Sequence, residues 1–369
     1  MKRAYYIDNL RIFLTALVII HHTAIAYGAS GGWCYISHNT VKGAQMIGLS
    51  SLLAVDQAFF MSFFFFISAL FTPKSVDRKG IGKFVKDRLI RLGIPLILTM
   101  FFINPSLLYS IALYTGNTSK SWFDYVVSFI SNGPTASHMW FVLALLIFEG
   151  IYLLGRNLQL VKIHDIIPTN LNILAFILFC SILAFAIRLI YPIGGKNFIG
   201  LQFGYFGLYT IFYFLGIWAS RKNWEERLLY SRAKFWGYIS LAVIPLIILV
   251  WVSLINNPSL FNEFIGGYHW RSLALSAWEA IVCTGLCYFL FLFFRKHINY
   301  TNQFFTSMAA NSYAVYFLHP LIVVAYTMLF EKVVLPPFTT FLIVAPLSII
   351  SCFAVAHFIR RIPGVSNVL

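Results

Sequence analysis

Charge is what this chain has least of. Only 11% of its 369 residues are Asp, Glu, Lys or Arg, and 12 of them are acidic. A soluble globular chain carries roughly a quarter, so an ordinary water-facing surface is excluded. Cysteine is scarce as well: Cys34, Cys180, Cys283, Cys287 and Cys352 show neither metal-ligand spacing nor a disulfide framework. Cys283 and Cys287 stand one helical turn apart in an apolar run, which reads as small core side chains. There is no internal repeat, heptad seam or low-complexity linker, and no loop long enough for a soluble domain. One membrane domain over residues 1–369 is the expectation.

Apolar residues make up 60% of the chain, with 38 phenylalanines, and mean hydropathy reaches +0.79. The apolar runs are long and continuous, which points to helices and not to the alternating segments of a β-barrel. Ten of them, at about 8–28, 45–71, 92–115, 138–155, 172–191, 203–220, 235–255, 272–294, 312–330 and 338–359, have the ~18 or more residues needed to cross the hydrocarbon. The expected fold is an all-α bundle of about ten transmembrane helices.

The net charge of +15 comes from 27 basic residues, and their placement explains it better than nucleic acid does. Lys2, Arg3 and Arg11 mark the amino end. Lys74, Arg78, Lys79, Lys83, Lys86, Arg88 and Arg91 fill one loop, Arg221 to Lys234 another, followed by Arg295, Lys296, Arg360 and Arg361. The intervening loops hold little beyond Lys42, Lys120, Lys196 and Lys332. Positive charge stays inside, so both termini are expected in the cytoplasm. Lys2-Arg3, Ile12–Ile20 and Ala24-Ile25-Ala26 have the outline of a signal peptide, but Asp8 and Arg11 interrupt it, and the first span is expected to remain.

Ionisable residues inside spans are costly and suggest function. Here they are Arg11, His21, His22, Asp56, Glu149, Arg188, Glu279, His319 and His357. Arg188 reads as snorkelling from a span end, and Glu279 as a structural partner of Arg271. On a helix, Asp8, Arg11, Thr15, Val18 and His22 share one face. His21 is rotated by about 100° from His22, so the two are expected to face different surroundings, with His21 against a neighbouring helix. An imidazole at His22 suits a general base or a nucleophile. Arg88 and Arg91, at i and i+3, form a candidate phosphate clamp, the plain alternative being a basic loop on lipid headgroups. Pro95 then places the arginines at the membrane surface, before the third span. Ten spans with internal charges also fit a transporter of a small anion or glycolipid.

Together these segments resemble the acyltransferase 3 family of membrane O-acyltransferases. "IDNLRIFLTALVIIHH" carries D-x-L-R followed by a histidine fourteen residues after Asp8, a match that falls on His22. "FFFFISALF" keeps Ser68 but has Ala69 where glycine is usual, leaving open how the helix backbone is approached there. "DRLIRLGIPL" supplies R-x-x-R at Arg88 and Arg91, "HMWFVLALL" contains Trp140, and "NSYAVYFLHPLIV" contains Tyr316 and His319. The resemblance implies transfer of an acyl group, most commonly acetyl and sometimes succinyl, from cytoplasmic acyl-CoA to a hydroxyl of a surface carbohydrate, glycolipid or other small acceptor, in the bacterial cytoplasmic membrane. It implies no metal and no permanently bound cofactor. It makes His22 catalytic, assigns acyl-CoA binding or structural support to Arg88, Arg91, Arg11 and Asp8, and makes Ser68, Trp140, Tyr316 and His319 pocket candidates.

Overall fold

A computed structural model describes residues 4–156, 168–195, 198–224 and 227–369. Lys2, Arg3 and Lys196, three of the charges used to orient the chain, lie outside the described residues. The described chain is all-helical, with ten helices long and apolar enough to cross a membrane. They are α1 (Tyr5–Ala26), α2 (Gly43–Lys79), α3 (Ile81–Tyr114), α4 (Ser137–Gly155), α5 (Asn170–Ile190), α6 (Phe203–Lys222), α7 (Tyr230–Asn256), α8 (Trp270–His297), α9 (Gln303–Phe330) and α10 (Pro337–Ile359).

Two helices are longer than the apolar runs announce, and the reason lies at their prolines. In α2, Pro73 sits inside the helix, which continues to Gly80, where a φ of +77° ends it. Helix α3 begins at Ile81, eleven residues before the expected span, and absorbs Pro95 and Pro105 through π-turns at Leu89–Gly93 and Thr99–Ile103. A proline lacks the N–H that would close the ordinary turn, and a wider turn accommodates the loss. Pro95 therefore starts no span, and Arg88 and Arg91 belong to a continuous helix. Helix α7 is offset at Ile244–Pro245 between Tyr230–Val243 and Leu246–Asn256. A short helix not foreseen from hydropathy, Trp122–Ser131, lies between α3 and α4, capped by the Ser121 hydroxyl accepting from Asp124 N–H at 3.2 Å.

Helix α1 packs against α2, α8, α9 and α10, which places its polar face inside the bundle. Asn9 anchors its start, donating from Nδ2 to the carbonyls of Ile298 and Tyr300, both at 2.9 Å. Helices α2 and α6 are in extensive contact. A Cβ on Gly216 of α6 would lie 2.7 Å from the Ala69 methyl. The close approach expected of a glycine at position 69 is thus supplied by the opposite helix, the small-residue contact that lets membrane helices gain dispersion energy.

Candidate active site

The site forms where the last turn of α1 meets α9. His22 Nδ1 lies 2.9 Å from His319 Nε2, and His319 Nδ1 lies 2.7 Å from the carbonyl of Tyr316. That carbonyl can only accept, so His319 carries its proton on Nδ1. In the neutral pair His319 Nε2 is then a lone pair, and His22 must donate from Nδ1. The consequence is specific: His22 Nε2 is left unprotonated, with a basic lone pair.

The ring of His22 is held on other sides as well. Trp33, from the loop after α1, stacks on it at 4.1 Å between centroids and 19° between planes. His138, at the start of α4, stands edge-on to His319 at 5.5 Å, its Nε2 3.1 Å from the Phe317 carbonyl. The Tyr316 hydroxyl donates to the His138 carbonyl, closing the contact between α4 and α9. Pro320 explains why α9 has free carbonyls here: without an N–H it leaves Tyr316 O unbonded within the helix, available to His319.

His22 opens onto a cavity of about 560 Å³. Aromatic side chains such as Trp140, Tyr209 and Trp278 line it, along with the polar groups Gln57, Gln202 and Glu279. Trp140 stacks on Tyr209 at 5.4 Å and 26°, and Gln57 Nε2 donates to the Tyr209 hydroxyl at 2.7 Å. Three further stretches line the cavity: Ser30 to Gly32 in the loop after α1, Gly194 and Gly200 between α5 and α6, and the short helix Phe261–Ile265 before α8. All three belong to the set poor in basic charge.

Several expectations need correction. His21 does meet a neighbouring helix, with Nδ1 3.6 Å from Asp56 Oδ2 of α2, yet its ring lines the same cavity as His22. The 100° between consecutive residues separates the Cα–Cβ vectors, but long imidazole side chains bring the ring centroids back to 5.5 Å. Of the pocket candidates, only Trp140 lines the cavity. His319 and Tyr316 stand behind His22, and Ser68 lies eleven residues along α2 from Gln57, ~16 Å away by helical rise. Arg188 does not snorkel. Its side chain is 1% exposed, donating to the Gly204 carbonyl, to Ser276 Oγ at 3.0 Å and to Glu279. A guanidinium fully inside the bundle needs such a complete set of acceptors. Arg271 pairs instead with Glu263, at 2.5 Å.

The arginine clamp also differs from its expected form. Arg88 turns inward, with Nη2 2.9 Å from Glu149 Oε1 of α4, whereas Arg91 is exposed. Asp8 and Arg11 are half-buried toward the other end of α1, Asp8 roughly 21 Å from His22 by helical rise. Asp56 was among the ionisable residues noted inside spans, but Trp33, His138, Gln57 and Gln202 were not singled out from sequence. A tryptophan in a glycine-rich loop, or a glutamine in an apolar helix, carries no local mark of what it will face.

Comparison with known proteins agrees with this architecture. The acyltransferase domain of the acyltransferase 3 family matches residues 4–357, nearly the whole chain. The chain belongs to that family and is a membrane acyltransferase. No curated protein and no solved structure gives a significant match.

Proposed function

We propose that this member of the acyltransferase 3 family moves an acyl group from acyl-CoA to a hydroxyl held in the His22 cavity. The observation that carries the reading is the His22–His319 pair at the wall of this cavity, which supports a basic Nε2 on His22. His22 Nε2 takes the proton from the acceptor hydroxyl as its oxygen bonds to the thioester carbonyl carbon. The carbon–sulfur bond then breaks, and the imidazolium returns the proton to the CoA thiolate. Atoms and charge balance without a further reactant.

The donor is acyl-CoA arriving from the basic face, with acetyl the first choice of acyl group and succinyl the second. Arg91 is exposed for its phosphates, and Arg88 is held by Glu149 at the same helix turn. Asp8 and Arg11 support that end of α1. The acceptor enters from the face poor in basic charge, and we assign it to a carbohydrate or glycolipid hydroxyl: aromatic faces beside amides and a carboxylate suit a polyol. With the basic loops inside, both termini are cytoplasmic, in a bacterial cytoplasmic membrane.

The test uses the purified full chain and labelled acetyl-CoA. His22→Ala abolishes transfer while CoA binding remains; retained transfer removes His22 from the mechanism. Arg88→Ala with Arg91→Ala weakens CoA binding more than dephospho-CoA binding, and equal weakening overturns the 3′-phosphate contact. Mass spectrometry of surface glycans and lipids with and without the gene identifies acyl group and acceptor together.

A further inference from the structure

We infer that His21, oriented by Asp56, is a second catalytic group of the same site and donates a hydrogen bond to the oxyanion of the transferring acyl group. This rests on the assignment of His22 as base. His21 and Asp56 are 8% and 3% exposed, on adjacent helices α1 and α2, with Nδ1 and Oδ2 3.6 Å apart. The two atoms face each other as an ion-pair contact longer than a hydrogen bond, neither has a hydrogen-bond partner among the described residues, and both are sealed from solvent. The ring itself lines the cavity and is packed on its other side against Phe60 at 5.1 Å. With Nδ1 beside the carboxylate, the proposal places Nε2 on the cavity side of the ring.

An imidazole whose Nδ1 faces a carboxylate and whose Nε2 faces a reaction space is a fixed donor or acceptor at Nε2. His22 already fills the acceptor role. An apolar interior favours a pair that is uncharged as a whole, and in such a pair, whichever of Nδ1 and Oδ2 holds the proton between them, Nε2 carries an N–H. The two centroids are 5.5 Å apart. In the proposal one tetrahedral carbon lies in the cavity in front of the two rings, its attacking oxygen toward His22 and its former carbonyl oxygen toward His21. As the acceptor oxygen bonds to the carbon, the carbonyl electron pair moves onto oxygen and is stabilised by the His21 Nε2–H. No proton crosses to it. When the pair returns, the carbon–sulfur bond breaks and the thiolate takes its proton from His22.

His21→Ala lowers kcat for acetyl-CoA by ~10²–10³-fold, the usual loss for one oxyanion donor, with KM for acetyl-CoA within about threefold. His21→Gln keeps an N–H and recovers part of the loss. Asp56 is a positioning residue: Asp56→Asn lowers kcat less than His21→Ala, and adds little when the two are combined. The same preparations are assayed for CoA binding and thermal unfolding, so a misfolded variant is recognised, and His21→Gln then decides. If His21→Ala keeps kcat within threefold while His22→Ala loses it, this inference is overturned. If His21→Gln falls as far as His21→Ala, the N–H is not what matters and it is overturned as well. If His22→Ala retains transfer, the reading of the whole site fails instead.

Discussion

His22 Nδ1 and His319 Nε2 are 2.9 Å apart although 297 residues separate them in the chain. The contact joins the end of α1 to the middle of α9 and decides which nitrogen of His22 is basic.

His319→Ala should therefore lower kcat by about a hundredfold, the range in which general-base assistance operates, with little change in KM for acyl-CoA. His22 would lose its hydrogen bond to His319, leaving the Val18 backbone as its remaining partner and its tautomer less firmly fixed. Steady-state kinetics of the purified variant are the check. An unchanged kcat would show that the tautomer is fixed otherwise.

Arg88 and Glu149 should behave as a coupled pair. Their oxygen–nitrogen distance is 2.9 Å, and the Glu149 side chain is 3% exposed. Arg88→Ala leaves a carboxylate buried alone and should cost on the order of 3 kcal/mol, read as a lowered unfolding temperature in detergent. Arg88→Ala with Glu149→Gln should recover most of the stability but not the affinity for CoA. Recovery of both would remove Arg88 from donor binding.

The loop that carries Trp33 should loosen in acid. Glu331, at the end of α9, accepts from the His38 backbone N–H at 2.9 Å and from the Tyr114 hydroxyl at 3.1 Å. Partial burial works against the carboxylate, but these bonds and the nearby Tyr35 outweigh it and hold Glu331 below its ordinary value of 4.5. A depressed carboxyl stabilises the folded loop above its unfolded value and loses that contribution as pH falls through the folded one. Hydrogen exchange of residues 33–41 should rise as pH falls below the ordinary carboxylate range. Glu331→Gln should raise exchange at neutral pH and flatten the acid response.

Gly216→Ala should destabilise by about 1–3 kcal/mol, as overpacking does. The added methyl would meet the Ala69 side chain at 2.7 Å, between two helices in extensive contact. Pairing it with Ala69→Gly should return part of the loss, measured by thermal unfolding.

Hydropathy and length alone were enough to place ten spans, because lipid demands that each crossing segment satisfy its own backbone. His22 and the paired arginines could be picked out as candidates because their spacing along a single helix is a local property. The limits of that reading lie where one helix meets another. No periodicity says that Arg188 faces Glu279 and not the membrane edge, or that Arg88 turns to Glu149. Prolines at 95 and 105 look like breaks in sequence, but π-turns absorb them.

By itself, then, the sequence determined the class of fold, the number of spans and the alternation of basic with charge-poor loops. Tertiary structure decided which groups surround His22. Trp33 stacks on it, His319 Nε2 lies within hydrogen-bond distance of it, and Asp56 lies beside His21 on the same cavity. The physical reason is range: helix formation in lipid answers to nearest neighbours, whereas the protonation and orientation of an imidazole depend on atoms within about 3–4 Å, whatever their distance along the chain.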